Sequence, residues 1–131
     1  MNVTNSDLEV HLSTSSSVTR DNTRWAFALN EDDQPTRVTD SPKHKVESIH
    51  EIIEWLDVED SERYRARGSS TYCNIYAHDY CCLCQTYIPR IWWDEETAKK
   101  VMSGQKIKPR YGTNVFEKNA NALHDWFQKS I

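Results

Sequence analysis

Hydrophobic and polar residues alternate in the first third of the chain, and this pattern predicts strands. Between Thr23 and Leu29 the large apolar side chains occupy every second position. A turn containing Glu31, Asp32 and Asp33 follows, and residues 36–39 return as a second extended run. Alternation on both sides of a turn is typical of a β-hairpin. The sequence therefore predicts a hairpin over residues 23–39, and alternation over residues 8–12 predicts a further short strand.

From residue 46 onward the spacing of apolar residues changes to that of amphipathic helices. The first helix is expected from about Val46, with an inner face formed by Val46, Ile49, Ile52, Ile53 and Leu56. The next three helices are predicted over about 74–85, after Asp94 as far as Gly104, and from Thr113-Asn114 onward. We expect one α+β domain over residues 1–131. A hairpin or small antiparallel sheet within residues 1–45 would pack on about four helices within residues 46–131.

Composition indicates a folded protein that neither crosses a membrane nor follows the ordinary secretory route. Of 131 residues, 37% are hydrophobic, and 3 glycines and 4 prolines are too few for a low-complexity chain. No apolar run approaches the roughly 18 residues of a membrane span. The N-terminus has neither the basic region nor the apolar core of a signal peptide. A cytoplasmic location is expected.

Charge is distributed unevenly along the chain. Residues 1–62 carry a balance of −9 and residues 63–131 a balance of +5, which together give the net charge of −4. The outer face and end of the first predicted helix contain no Lys or Arg between residue 46 and Arg63 but many acids, among them Glu47, Glu51, Glu54, Asp57, Glu59 and Asp60. Such a surface is either a solvated helix face or a surface that imitates phosphates and occupies a basic groove of a partner.

All four cysteines lie within residues 73–84. The polar run Gly68–Thr71 predicts a helix start, and apolar residues then follow at helical spacing, namely Cys73, Ala77, Tyr80, Cys81 and Cys84. Cys73 therefore falls in the first turn, where the helix dipole and the exposed N–H groups stabilise a thiolate. This position suits a nucleophile, although a buried cysteine near a helix start is equally compatible with the pattern.

Several motifs around this helix resemble one enzyme family. They are Arg63-Tyr64, the run Thr71-Tyr72-Cys73-Asn74-Ile75-Tyr76, Asp79, and the run from Tyr87 to Trp93. Together they resemble the front part of papain-like cysteine amidases and peptidases of the NlpC/P60 and CHAP type. The resemblance implies that Cys73 attacks an amide carbonyl and that a histidine on a later strand is its base. In this chain only His78 and His124 follow Cys73, and no Gly-His strand follows, so His124 is the candidate base.

Two other kinds of site are weighed against simpler interpretations. The spacing of Cys81 and Cys84, and of His78 and Cys82, is formally that of zinc ligands. Because these residues lie inside a predicted apolar helix, we expect core cysteines, no metal and no cofactor. The basic residues of the second half are scattered over helices and loops, so no direct contact with nucleic acid is expected.

The sequence thus predicts a non-enzymatic binding or inhibitor protein derived from a truncated cysteine hydrolase. The profile fits a phage-encoded protein that blocks a bacterial nucleic-acid-handling defence complex in the anti-CRISPR manner. The expected contact residues are the six acids Glu47, Glu51, Glu54, Asp57, Glu59 and Asp60, together with the aromatic residues Trp92 and Trp93. The alternative is a peptidoglycan amidase or peptidase that uses Cys73 as its nucleophile.

Overall fold

The computed structural model describes residues 8–12, 14, 16–67, 72–118 and 120–130 of the chain. Within these residues the chain forms two compact units, one spanning Thr14–Ile88 and the other Pro89–Ile131 with part of Met1–Ser13. Their elements are four α-helices, one turn of 3-10 helix and a two-stranded antiparallel sheet, which confirms the predicted α+β class. None of the helices in these ranges is long and apolar enough to span a bilayer.

The unit Thr14–Ile88 contains two helices, α1 at Pro42–Leu56 and α2 at Cys73–Leu83. The helix α1 begins four residues earlier than predicted, because the Ser41 side chain accepts a hydrogen bond from the His44 N–H at 3.1 Å and Pro42 occupies the first position. It ends at Asp57, which adopts a left-handed conformation with φ +47°. A 3-10 turn at Glu62–Tyr64 follows.

Both helices contribute to one hydrophobic core in this unit. Ile52 and Leu56 of α1 are fully buried, as the predicted inner face of this helix requires. Val46 and Ile53 were expected on the same face but are exposed, so the predicted face is too wide. The full set of buried core residues is Val18, Leu29, Ile52, Leu56, Tyr64, Ile75, Leu83 and Cys84.

The prediction of an N-terminal hairpin over residues 23–39 is wrong, because residues 16–41 contain no strand. The strands of the described chain lie at residues 92–93 and 115–116. The backbone of residues 16–41 forms hydrogen bonds within its own turns and with α1 and α2. The Phe27 N–H donates to the Arg24 carbonyl, the Arg37 N–H donates to the Leu83 carbonyl at the end of α2, and the Val38 N–H donates to Ser48 Oγ. Residues 8–12 likewise form no strand.

The helix α2 spans Cys73–Leu83 against the predicted 74–85, with Cys73 in the first turn as expected, but its buried face differs from the predicted stripe. The buried residues are Ile75, His78, Asp79 and Leu83. Cys73 is exposed, and Ala77, Tyr80 and Cys81 are only partly buried. The expected cap at Gly68–Thr71 lies outside the described residues.

The second unit contains the sheet and two helices. Strand β1 at Trp92–Trp93 pairs with strand β2 at Val115–Phe116, with Trp92 opposite Phe116 and Trp93 opposite Val115. The helix α3 at Glu95–Met102 is capped by Asp94, whose Oδ1 accepts from the Thr97 N–H at 2.6 Å. It ends before Gly104, whose φ of +99° suits glycine. Both ends of α3 are as predicted.

The last helix begins later than the sequence indicates. We expected it from Thr113-Asn114, but α4 spans Ala120–Ser130. The Asn114 side chain accepts from the Arg110 N–H at 2.7 Å and donates to the Lys108 carbonyl at 3.1 Å. Asn114 thus closes a turn in front of β2 instead of capping a helix.

Candidate functional site

An acidic surface follows α1 and the turn after it. We define the acidic face as Glu47, Glu51, Glu54, Asp57, Glu59 and Asp60, all of which are exposed. The first three recur at spacings of four and three residues and therefore share one side of the helix. Of these six acids, Glu47 alone has an ion-pair partner within the described residues, namely Lys43 at 3.9 Å. The other five carboxylates are thus available to an external cation.

Large apolar side chains are exposed along the acidic face. Val46 and Ile53 on α1 and Val58 in the following turn are 55%, 44% and 43% exposed. These residues are not needed for the core, which α1 supplies through Ile52 and Leu56. Exposed aliphatic side chains beside carboxylates supply apolar contact area wherever such a surface meets another protein.

The predicted nucleophile lies at the start of α2. Cys73 is the first residue of this helix and is exposed to solvent. The residue before it, Tyr72, stacks on Trp25 with ring centroids 4.2 Å apart. An accessible sulfur therefore lies directly after an aromatic pair.

A buried ion pair between Arg63 and Asp79 connects α2 to the 3-10 turn before it. Arg63 Nε donates to Asp79 Oδ2 at 2.7 Å, and Arg63 Nη2 donates to Asp79 Oδ1 at 3.3 Å. Both side chains are completely buried. The Tyr64 hydroxyl also donates to Asp79 Oδ2, at 2.6 Å. A charged pair of this kind persists in an interior only where hydrogen bonds compensate for the lost water.

The rest of the Arg63 guanidinium binds the irregular segment that replaces the predicted hairpin. Its Nη1 donates to the Arg24 carbonyl at 3.2 Å and its Nη2 donates to the Phe27 carbonyl at 2.8 Å. In return, Trp25 Nε1 donates to the Arg63 carbonyl at 2.9 Å. One arginine therefore connects α2 with residues 24–27.

This network is not visible in the sequence. Arg63, Arg65 and Arg67 form a basic trio directly after a run of acids, and that proximity predicts pairing with those acids. That expectation is right for Arg65 and Arg67, which lie 2.7 Å and 3.8 Å from Glu62 carboxylate oxygens. It is wrong for Arg63, whose partner is 16 residues away. The available signal was Asp79 itself, a lone acid in the middle of an apolar helix.

The remaining cysteines differ in exposure. All four cysteines of the chain lie in described residues, and none forms a disulfide. Cys84 is buried, Cys82 is exposed and Cys81 is intermediate. Burial raises the pKa of the Cys81 thiol, and the nearby Cys84 and Cys82 raise it further. Within the described parts of the chain no group of three or more His, Cys, Asp or Glu could hold a metal ion.

The other predicted site residues belong to the second unit. His124 is exposed on α4, and Trp92 and Trp93 are half-buried in β1. The acidic face and Cys73 both lie in the unit Thr14–Ile88. The pairing of Cys73 with His124 as a base stays a prediction, and so does the contribution of the two tryptophans to the acidic contact surface.

Comparisons of the chain with protein-family models, with curated proteins and with solved structures find no match. The resemblance to NlpC/P60 and CHAP hydrolases therefore rests on the motif residues around Cys73 and on the run from Tyr87 to Trp93.

Proposed function

We propose that this protein is a non-enzymatic binding protein whose acidic face occupies a basic, nucleic-acid-binding groove on a protein partner. The observation that carries the proposal is the exposure of Val46, Ile53 and Val58 among five carboxylates that have no cation partner in the described residues. A row of carboxylates is attracted to the basic residues of a groove that binds phosphates. The aliphatic side chains add apolar contact area that phosphates lack. The partner class is a bacterial nucleic-acid-handling defence complex.

The test measures whether the protein prevents purified CRISPR effector complexes from binding their target DNA in a mobility-shift assay. The variant reverses two charges, Glu51→Lys with Glu54→Lys. We expect it to lose at least about tenfold in inhibitory potency, because each reversal replaces an attraction of about 1 kcal/mol with a repulsion.

The matched control is Asp21→Lys with Asp32→Lys, which makes the same change in net charge at two exposed positions of the same unit. It should inhibit like the wild type. Inhibition that survives the reversal on α1, or that falls equally in the control, would count against the acidic face. Absence of inhibition by the wild-type protein would remove this class of partner.

A second candidate function is hydrolysis of an amide, such as a peptidoglycan cross-link, with Cys73 as the nucleophile. It is favoured by one observation, namely the exposure of Cys73 at the first position of a helix fixed by a buried ion pair. The sulfur would attack the carbonyl carbon and pass its proton to a base, and the amine would leave. Water would then hydrolyse the thioester. His124 is the proposed base.

Labelling with iodoacetamide at a series of pH values, with mass-spectrometric assignment of each site, tests the second function. Cys82 is the internal control, since it is exposed on the same helix but far from its N-terminus. An activated Cys73 should reach its full labelling rate at a lower pH than Cys82. Cys81 should need a higher pH than an ordinary thiol, because its raised pKa leaves less thiolate. Identical profiles for Cys73 and Cys82 would exclude activation by the helix start.

A further inference from the structure

Two aromatic rings of the second unit are exposed and are not used by either function proposed above. Tyr111 and Phe116 are 51% and 41% exposed. Phe116 follows Val115, which is fully buried, and successive side chains of a strand point to opposite faces. Tyr111 is joined to β2 by a bridge to Val115. The two rings are therefore displayed by the same strand and the turn in front of it.

The chain that leads up to these rings is basic. Residues 97–116 contain five Lys or Arg and no Asp or Glu. Lys106, Lys108 and Arg110 are exposed, and none of the three has an ion-pair partner within the described ranges. The Asn114 side chain binds the backbone of Lys108 and of Arg110, so the turn holds this basic segment beside β2.

A third ring and a fourth cation extend the same surface. Trp92 of β1 lies directly opposite Phe116, and directly opposed residues of an antiparallel pair project from the same face of the sheet. Lys118 Nζ lies 4.8 Å from the centroid of the Trp92 ring, within the range of a cation–π contact. We define the aromatic-basic face as Tyr111, Phe116, Lys106, Lys108, Arg110 and Lys118.

One carboxylate lies close to this face. Burial raises the pKa of Tyr111, and the charge of Glu117 and a hydrogen bond with it raise that pKa further. Tyr111 therefore keeps its proton and presents an uncharged ring at neutral pH, while Glu117 is engaged with its hydroxyl. Three further acids, Asp94, Glu95 and Glu96, lie at the start of α3, where the Asp94 carboxylate accepts from the Thr97 N–H.

We propose that the aromatic-basic face binds single-stranded nucleic acid, with bases stacked on Tyr111 and Phe116 and phosphates contacted by Lys106, Lys108, Arg110 and Lys118. Proteins that bind single strands without sequence preference combine these two features, a basic track for the backbone and aromatic rings for the bases. A duplex does not fit as well, because its bases are stacked on each other and do not offer their faces to side chains.

The proposal departs from the expectation of no direct contact with nucleic acid. That expectation treated the Lys and Arg residues of the second half, residues 63–131, as scattered over helices and loops. The turn closed by Asn114 binds the backbone of Lys108 and Arg110 in front of β2, and Lys118 lies over Trp92, the residue opposite Phe116. The proposal does not depend on the acidic face, which lies in the other unit.

The experiment measures fluorescence anisotropy of labelled oligothymidine of 20 nucleotides, with the full chain, at several salt concentrations. We expect micromolar binding at low salt, and a slope of about −2 to −3 for log K against log salt, since three to four phosphates would each contribute about 0.7. Tyr111→Ala with Phe116→Ala should weaken binding at least about tenfold without changing any charge, because stacking contributes about 1–3 kcal/mol per base. Lys108→Glu with Arg110→Glu should weaken binding and flatten the salt slope.

The matched control is Lys43→Glu with Lys45→Glu, two exposed lysines of the other unit, which should bind like the wild type. Three results would overturn the proposal. The first is absence of binding at low salt. The second is binding that the alanine pair leaves unchanged, which would mean simple attraction of any polyanion. The third is equal competition by inorganic polyphosphate or by a duplex of the same length.

Discussion

A buried carboxylate needs hydrogen bonds to replace water, and the described residues next to α2 donate three of them to Asp79. Two come from Arg63 and one from Tyr64. The pair is worth little as a source of stability, because moving two charges out of water costs about as much as their attraction returns. We expect its value to lie in specificity, since an arrangement of α2 that separated Asp79 from Arg63 would leave a buried charge unpaired.

Removing one member of this pair should therefore be severe. In Asp79→Asn the Arg63 charge stays buried without its partner, and we expect a loss of about 3–5 kcal/mol in the free energy of unfolding. This is a large part of the roughly 5–15 kcal/mol that stabilises a domain. Urea denaturation followed by tryptophan fluorescence measures it.

The control for this prediction is Glu62→Gln, which removes the partner of Arg65 and Arg67 at the surface. Its cost should be below about 1 kcal/mol, because exposed ion pairs contribute little. Replacing both buried charges, with Arg63→Met and Asp79→Leu, should recover part of the stability lost in Asp79→Asn. Equal midpoints for Asp79→Asn and Glu62→Gln would show that the buried pair is dispensable.

At the scale of single elements, α2 and α3 differ in the interactions that stabilise them. The helix α2 buries Ile75, His78, Asp79 and Leu83, whereas α3 buries none of its residues. What stabilises α3 is local, namely the Asp94 cap, acids in its first turn and lysines in its last turn. Helices that rest on local interactions open more easily than helices packed into a core.

Amide hydrogen exchange should separate the two helices. We expect the amides of α3 to exchange at least about tenfold faster than those in the middle of α2, after correction for intrinsic rates. The middle of α1, which includes the fully buried Ile52, is the reference and should behave like α2. Equal protection in α2 and α3 would mean that α3 has tertiary support beyond its caps.

Elements with local signals were predictable from the sequence, and elements with distant partners were not. The Asp94 cap and Gly104 give both ends of α3, whereas the start of α1 was predicted four residues too late, because the apolar spacing begins at Val46 and the Ser41 cap with Pro42 precedes it. The hairpin over residues 23–39 failed because alternating side chains can also belong to an irregular segment that lies on helices. The position of Cys73 was predictable, because the apolar spacing after it begins a helix.

At the scale of the whole molecule, charge is divided between the two units. The unit Thr14–Ile88 contains 13 acidic and 8 basic residues, and the remainder of the chain contains 7 acidic and 8 basic residues. The net charges of the two parts are therefore −5 and +1. The acidic face lies in the first of them and the aromatic-basic face in the second. The buried partner of Arg63 explains why the sequence alone overstated the basic surface: this arginine contributes no charge that a ligand can reach.

The connections of Arg63 also have a kinetic consequence. Its guanidinium and its carbonyl bond to residues that are 16 to 39 positions away in the chain. Closing loops of that size costs conformational entropy before any bond rewards it. A partly formed network would leave the buried charge without its compensating bonds, which is costly. Residues 24–27, the 3-10 turn and α2 should therefore acquire their native contacts together, in one late and cooperative step of folding.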